Sequence, residues 1–165
     1  MSSTYMKKCE HLGFLTLFMS QLRVNCQEVA NKSGYSRQNI HNLISNDDAK
    51  ISTLYKIFNS YGYNLEFAII DSNNNTFMNI TNKPNCKCTF QLKETDKRKL
   101  SFLSDAMYEF PEFCPKNIEI KANIPVANLQ YWIKVDDCKI SEIYKMLKPF
   151  NLILHCNIFP QENQL

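Results

Sequence analysis

The sequence repeats its own pattern of residues at an interval of 89 positions. The tripeptide Lys-Ile-Ser occurs at 50–52 and again at 139–141, and the acidic pair at 47–48 falls on the acidic pair at 136–137. The same shift needs no gap to superpose further identical residues: Lys32 on Lys121, Asn39 on Asn128, Ile44 on Ile133, Tyr55 on Tyr144, Leu65 on Leu154 and Ile69 on Ile158. So many matches in one register indicate two copies of one structural unit.

The repeat divides the chain into three parts. These are a first unit at 1–70, a turn or hairpin linker at 71–93, and a degenerate second unit at 94–165. The linker opens with Asp-Ser-Asn-Asn-Asn, which is typical of turns. Within it, 76–81 and 87–92 are candidate strands, and Lys83-Pro84-Asn85 marks the boundary between the halves.

The first unit reads as a series of short helices followed by one strand. Its first helix is indicated by apolar residues at the amphipathic spacing: Leu15, Phe18, Met19 and Leu22. The later elements are predicted from their caps and turns: a helix capped by Asn25, a turn at Gly34, a helix from Arg37 to about Ser45 capped by Ser36, a helix capped by Ser52 and ended by Gly62, and a strand at 64–70. In the second unit, Asn123 and Asn151 take the places of the two glycines, because Asn also tolerates the left-handed conformation.

The fold class that follows is mostly α with small β additions. Each unit ends in a strand, at 64–70 and at 152–159, and a lone strand leaves backbone groups unpaired. We therefore expect the two terminal strands to pair. Pairing within one chain gives a pseudo-dimer and pairing between chains gives a homodimer, and the sequence leaves both open.

The helix that follows Gly34 has a polar outer face. With Ile40, Leu43 and Ile44 turned inward, the outer positions are Arg37, Gln38, His41, Asn42 and Ser45. Arg pairs with guanine O6 and N7 in the major groove, and Gln or Asn pairs with adenine N6 and N7. A polar outer face by itself is more often merely solvated, and it is the position of this face after the glycine turn that favours contact with base edges.

Residues 28–43, EVANKSGYSRQNIHNL, resemble the helix-turn-helix of the phage-repressor/Cro-type (XRE-like) family. The resemblance rests on Ala30, Gly34, Ser36 and Ile40, extends over about 12–62, and has a less faithful copy at 100–151. It implies a second helix lying in the major groove of DNA, with Arg37, Gln38 and Asn42 at the base-reading positions. The chain departs from the family where many members carry Gln just after the first cap, since Cys26 stands there and Gln27, the next residue, is a candidate substitute.

We therefore predict that the first unit binds double-stranded DNA. Asn25 and Gln27, at the start of the preceding helix, are placed to meet phosphates. The full set of expected contacts is Asn25, Gln27, Ser36, Arg37, Gln38, Asn39, His41 and Asn42.

The second unit is expected to read DNA less well. Pro125, Val126 and Ala127 replace the cap, Arg37 and Gln38, and Val or Ala does little beyond touching a thymine methyl. Its possible DNA contacts are Lys116, Asn128, Gln130 and Tyr131. Exposed Val126, Tyr131 or Trp132 would favour a protein partner instead, whereas exposed Lys116, Lys121 and Lys134 would favour DNA.

Composition argues against other classes of protein. The net charge of +3 is small, so phosphate affinity must come from local placement. Seven scattered cysteines, with only Cys86 and Cys88 closely spaced, favour reduced thiols in the cytoplasm over a disulfide scaffold or a metal site. The apolar run at 12–19 is too short to span a membrane. We expect no cofactor and no enzyme activity, because the histidines are dispersed and the two acidic pairs are better explained as caps of the helices that follow them or as turn residues.

The sequence thus predicts a sequence-specific DNA-binding transcriptional regulator, most simply a repressor, that reads the major groove with the helix at 36–45. The alternative is a protein-interaction module, such as an antitoxin or anti-repressor, whose second unit binds a protein partner.

Overall fold

The computed structural model describes residues 11–73 and 98–162. The first of these segments contains four helices and a strand: α1 (Gly13–Leu22), α2 (Cys26–Ser33), α3 (Arg37–Asn46), α4 (Ile51–Ser60) and β1 (Tyr63–Asp71). The second contains the same series with a 3-10 turn at Lys148–Phe150: α5 (Ser101–Glu109), α6 (Pro115–Ala122), α7 (Val126–Val135), α8 (Ile140–Leu147) and β2 (Leu152–Pro160). The described residues are thus mostly helical with a small sheet, which confirms the predicted fold class.

The elements follow the repeat with one local exception. From the second helix onward, each element of the second segment begins 89 residues after its counterpart, whereas α5 begins 88 residues after α1. The connection between the first two helices is longer in the second segment, at 110–114, than in the first, at 23–25. The candidate linker strands at 76–81 and 87–92, with the boundary at 83–85, lie outside the described residues.

The two strands pair with each other in an antiparallel ribbon within the chain. Tyr63 lies opposite Pro160 and Asp71 opposite Leu152, so all nine residues of each strand are in register. Leu65, Phe67 and Ile69 are buried on one face of β1, as the alternation of the sequence predicted. Because β1 and β2 pair antiparallel and each follows the same series of helices, a pseudo-twofold axis relates the two halves of the chain.

The local caps of α2 and α3 are as predicted. The Asn25 side chain accepts a hydrogen bond from the Glu28 N–H, and the Glu28 carboxylate accepts one from the Asn25 N–H, which completes a capping box. Gly34 ends α2 with a φ of 77°, and the Ser36 hydroxyl oxygen accepts from the Asn39 N–H at 3.1 Å. Asn151, the predicted stand-in for Gly62, is likewise left-handed.

The start of α4 is built differently from the prediction. Ser52 does not cap this helix, because Ile51 is its first residue and Lys50 is the N-cap. Instead, the Ser52 N–H and hydroxyl both donate to Asp137 of the other half, at 2.9 and 2.6 Å. The symmetric pair is present too, since the Ser141 N–H and hydroxyl donate to Asp48 at 3.1 and 2.8 Å.

The acidic pairs therefore cap helices, but not the helices that follow them in sequence. Asp47 accepts from the N–H groups of His11 and Leu12, just before α1, at 2.9 and 2.8 Å. Asp136 does the same for Lys99 and Leu100, just before α5. In each pair the first carboxylate caps a helix of its own half and the second caps a helix of the other half.

The core runs through both halves and differs from the predicted apolar stripes at a few positions. Leu15, Phe18 and Met19 are buried as expected, but Leu22 is 36% exposed at the end of α1. On α3 only Ile40 is fully buried, while Leu43 and Ile44 are half-buried against the core. On α4 the buried residues are Ile51, Leu54, Ile57 and Phe58.

No described helix has both the length and the apolar character that crossing a bilayer requires. The longest α-helices have 10 residues, about 15 Å at the usual rise, and a span needs about 20.

Candidate nucleic-acid interface

The second and third helices are fixed against each other by small and apolar residues. Val29, Ala30 and Ile40 are buried between them, and the buried Ser33 hydroxyl donates to the Val29 carbonyl at 2.6 Å. Gly34 makes the turn in the left-handed conformation, which costs a residue without a Cβ little. This packing turns the opposite side of α3 to solvent.

Every residue predicted to contact DNA in the first unit is exposed. Four of them, Asn25, Gln27, Arg37 and His41, line one open cleft of about 450 Å³ together with Cys26. Residues ten or more positions apart in sequence thus form one polar surface. Cys26 lies in this cleft, at the position where the resembled family carries Gln.

Two side chains on α3 are already oriented by a hydrogen bond. The Gln38 amide nitrogen donates to the Asn42 side-chain oxygen at 2.8 Å, across one helical turn. The Gln38 oxygen remains an acceptor and the Asn42 nitrogen a donor. An acceptor beside a donor is the complement of the adenine edge in the major groove.

Other predicted residues have a structural role as well as an exposed position. Ser36 and Asn25 use their side-chain oxygens as caps, so Asn25 keeps its amide N–H₂ group and Ser36 its hydroxyl hydrogen for outside acceptors. Gln27 donates to Asn31 at 2.8 Å along α2. Asn39 lies exposed on the first turn of α3.

The corresponding surface of the second unit has changed in character. Lys116, Asn128, Gln130 and Tyr131 are all exposed, as a contact role requires. Lys116 occupies the position of Gln27, Gln130 that of His41, and Tyr131 that of Asn42. The amide of Val126, in the position of Arg37, donates to the Glu119 carboxylate at 3.4 Å, since Pro125 has no side-chain cap to offer.

The features expected to separate a DNA contact from a protein contact in the second unit are both present. Tyr131 is 62% exposed and Val135, one turn further, is 45% exposed. Lys116, Lys121 and Lys134 are exposed as well. Trp132 is half-buried against the core, and Val126 is half-buried.

Two residues that served only to align the two copies of the repeat also lie next to the exposed face of α3. Lys50 and Lys139 line a second cleft, of about 330 Å³, together with Asn42 and Asn46 of α3. In the sequence, these lysines are marked by the repeated Lys-Ile-Ser tripeptide. In the structure, the lysine of each tripeptide is an N-cap residue and lies where the two halves meet.

The groups with clearly shifted pKa values lie away from the exposed face of α3. Burial, assisted by Glu66, raises the pKa of Tyr55 to about 12, and burial raises the pKa of Cys156 to about 12. Burial, with Asp137 next in weight, raises the pKa of the Cys138 thiol to about 12. These groups stay neutral at ordinary pH and belong to the packing between the halves.

The described residues contain no cluster of three or more His, Cys, Asp or Glu side chains that would hold a metal ion. Cys86 and Cys88, the closely spaced pair, lie outside them. The absence of metal, cofactor and enzyme activity stays a prediction.

Comparison with known proteins gives no family. The chain matches no protein-family model, no curated protein and no solved structure. Support for a function therefore comes from the geometry above and from the motif at 28–43.

Proposed function

We propose that the protein is a sequence-specific, double-stranded DNA-binding regulator of transcription, most simply a repressor acting in the cytoplasm. The observation that carries this proposal is the exposed cleft in which Asn25 and Gln27 of α2 meet Arg37 and His41 of α3. In the geometry of the helix-turn-helix, the first of two such helices crosses the backbone while the second lies in the major groove. The cleft supplies groups for both tasks.

The proposed roles follow from the chemistry of each side chain. Arg37 forks onto guanine O6 and N7, and the hydrogen-bonded pair Gln38 and Asn42 reads adenine. Asn25 and Gln27 donate to phosphates, close to the partial positive charge at the start of α2. His41, Ser36 and Asn39 complete the surface that enters the groove.

The second unit contributes a weaker half-site. Lys116 and Lys134 supply phosphate contacts, while Val126 and Ala127 replace the residues that discriminate bases. Because β1 and β2 join the two halves in one chain, the proposed operator has two unequal half-sites. If both helices enter one face of the duplex, the half-sites lie roughly 34 Å apart.

A binding selection from random oligonucleotides, made with the full-length chain, tests this proposal. We expect one short enriched motif, bound far more tightly than scrambled duplex, with a stronger consensus in one half. Weak, salt-sensitive binding without an enriched motif would mean contact with the backbone alone and would contradict sequence-specific recognition.

A second candidate function is binding of a protein partner by the second unit, as in an antitoxin or anti-repressor. It is favoured by the exposed apolar side chains of Ile120, Tyr131 and Val135, where the first unit has Asn31, Asn42 and Asn46. The variant Tyr131→Asn, which restores the residue of the first unit, separates the two. Stronger duplex binding by this variant would favour a former DNA contact, and unchanged duplex binding would favour a protein surface.

A further inference from the structure

Lys50 and Lys139 occupy equivalent positions of the repeat and meet where the two halves join. They form an isolated antiparallel bridge with each other. Each is the N-cap residue of a helix, α4 or α8, and neither side chain makes a capping hydrogen bond. Both residues are exposed, so two cationic side chains flank the pseudo-twofold axis.

These lysines share a surface with the polar face of α3. The cleft of about 330 Å³ has Asn42 and Asn46 on its helical side and both lysines at the axis. Asn42 is in turn hydrogen-bonded to Gln38. The surface proposed to read bases therefore extends from Gln38 and Asn42 to the two lysines at the axis.

The acidic residue in the cleft does not cancel this charge. Asp48 accepts two hydrogen bonds from Ser141, so its carboxylate is directed at the start of α8. The Lys139 ammonium lies 4.0 Å from Asp48, with a side chain that is 62% exposed. A surface pair of this kind contributes little to stability, and the ammonium remains accessible to an anion.

The placement of both lysines is unfavourable for the helices themselves. A cation at a helix N-terminus opposes the macrodipole. This unfavourable choice occurs at the same position in both halves. An external anion bound beside the two lysines would offset this unfavourable charge in both halves.

We propose that Lys50 and Lys139 bind the phosphate backbone at the centre of the DNA site, between the half-sites contacted by α3 and α7. This inference rests on the proposed function and adds to it a contact that carries no base specificity, since a lysine meets phosphate as a point charge. A duplex spanned by both halves has its centre at the pseudo-twofold axis, where the two lysines lie.

The test compares four full-length proteins by anisotropy titration on the selected duplex and on scrambled duplex, each at several salt concentrations. They are the wild type, Lys50→Ala/Lys139→Ala, Lys50→Arg/Lys139→Arg, and the charge-matched control Lys145→Ala/Lys148→Ala. The control removes exposed lysines toward the other end of α8, about 9–13 Å from Lys139 along the helix. Ethylation interference on the same duplex locates the phosphates that matter.

We expect the alanine pair at the axis to make the slope of log K against log salt shallower by about 2. The loss of affinity should be similar on both duplexes. Ethylation interference at the centre of the site should disappear. The arginine pair should retain the wild-type slope, and the control should not lose the central interference. A wild-type slope with unchanged central interference in the alanine pair would overturn the inference and leave the proposed function standing. A wild type that binds no duplex would overturn both.

Discussion

Asp48 and Ser141 hold the two halves of the chain together, because the Asp48 carboxylate accepts from both the N–H and the hydroxyl of Ser141. Asp137 and Ser52 make the same contact in the opposite direction. Between these contacts, the Ile51 N–H donates to the Cys138 carbonyl, and the Ile140 N–H to the Ala49 carbonyl. Each half thus caps a helix of the other, which fixes the angle between the two halves.

Removing one of these carboxylates should destabilise the whole chain. We expect Asp48→Ala to lower the free energy of unfolding by about 1–2 kcal/mol, the range for loss of a helix N-cap. The matched variant Ser141→Ala keeps the N–H bond and should cost less, about 1 kcal/mol. Urea denaturation followed by circular dichroism measures both. Equal losses from the two variants would contradict a capping role for Asp48.

The two units should respond differently to substitution on their reading helices. Arg37→Ala should weaken binding to the selected duplex by about 1–3 kcal/mol and relax specificity at one base pair. Val126→Ala, the equivalent change in the second unit, should alter affinity very little. Anisotropy titration of both variants on one duplex checks this. Equal losses would mean that the units do not differ in the way proposed.

The turn between α2 and α3 should tolerate Asn better than Ala. A Cβ at Gly34 would meet only the Lys56 ammonium, at 3.9 Å, so the penalty of Gly34→Ala comes from a φ of 77° and should be about 1 kcal/mol. Gly34→Asn should cost less, because Asn123 already adopts a φ of 55° at the equivalent position. Thermal unfolding of the two variants measures the difference. A larger loss for Asn than for Ala would refute this account of the turn.

Stability should fall in alkaline solution because of thiols buried between the halves. Burial holds the pKa of Cys138 at about 12 in the folded chain, above the usual 9.0. The unfolded chain therefore releases this proton first, so the stabilisation is complete below about pH 9 and is lost as pH rises toward 12. Each such group contributes a slope of at most about 1.4 kcal/mol per pH unit.

Cys138→Ala should make this alkaline loss shallower, and the substitution suits the site because Ala49 fills the equivalent position. Urea midpoints measured from below the usual thiol pKa of 9.0 to above it give the comparison. The same steepness in the variant and the wild type would show that Cys138 does not titrate as described.

The elements of the α2–α3 pair could be predicted because their determinants are local. Asn25, Gly34 and Ser36 each act within a few residues of their own position, so their spacing alone indicates the caps and the turn. Ser52 could not be placed in this way, because its partner Asp137 is 85 residues away in sequence. A repeat shows that two positions are equivalent but not that one half caps the other.

The candidate site was likewise predictable where it depends on local residues and unpredictable where it depends on how the two halves meet. The exposed positions on α3 follow from the burial of Ile40, and the structure brings Arg37 and His41 together with Asn25 and Gln27. The place of Lys50 and Lys139 at the axis depends on the pairing of β1 with β2 within the chain. The sequence allowed that pairing and pairing between two chains equally, so these lysines had no predicted role.

The most direct test of the central claim, that α3 reads bases, is guanine-methylation interference on the selected duplex with wild type and Arg37→Ala. Methylation of N7 blocks the fork that Arg makes with guanine. We predict one guanine in the stronger half-site whose methylation prevents wild-type binding and has no further effect on Arg37→Ala. Interference at no guanine, or an identical pattern with both proteins, would contradict base reading by Arg37.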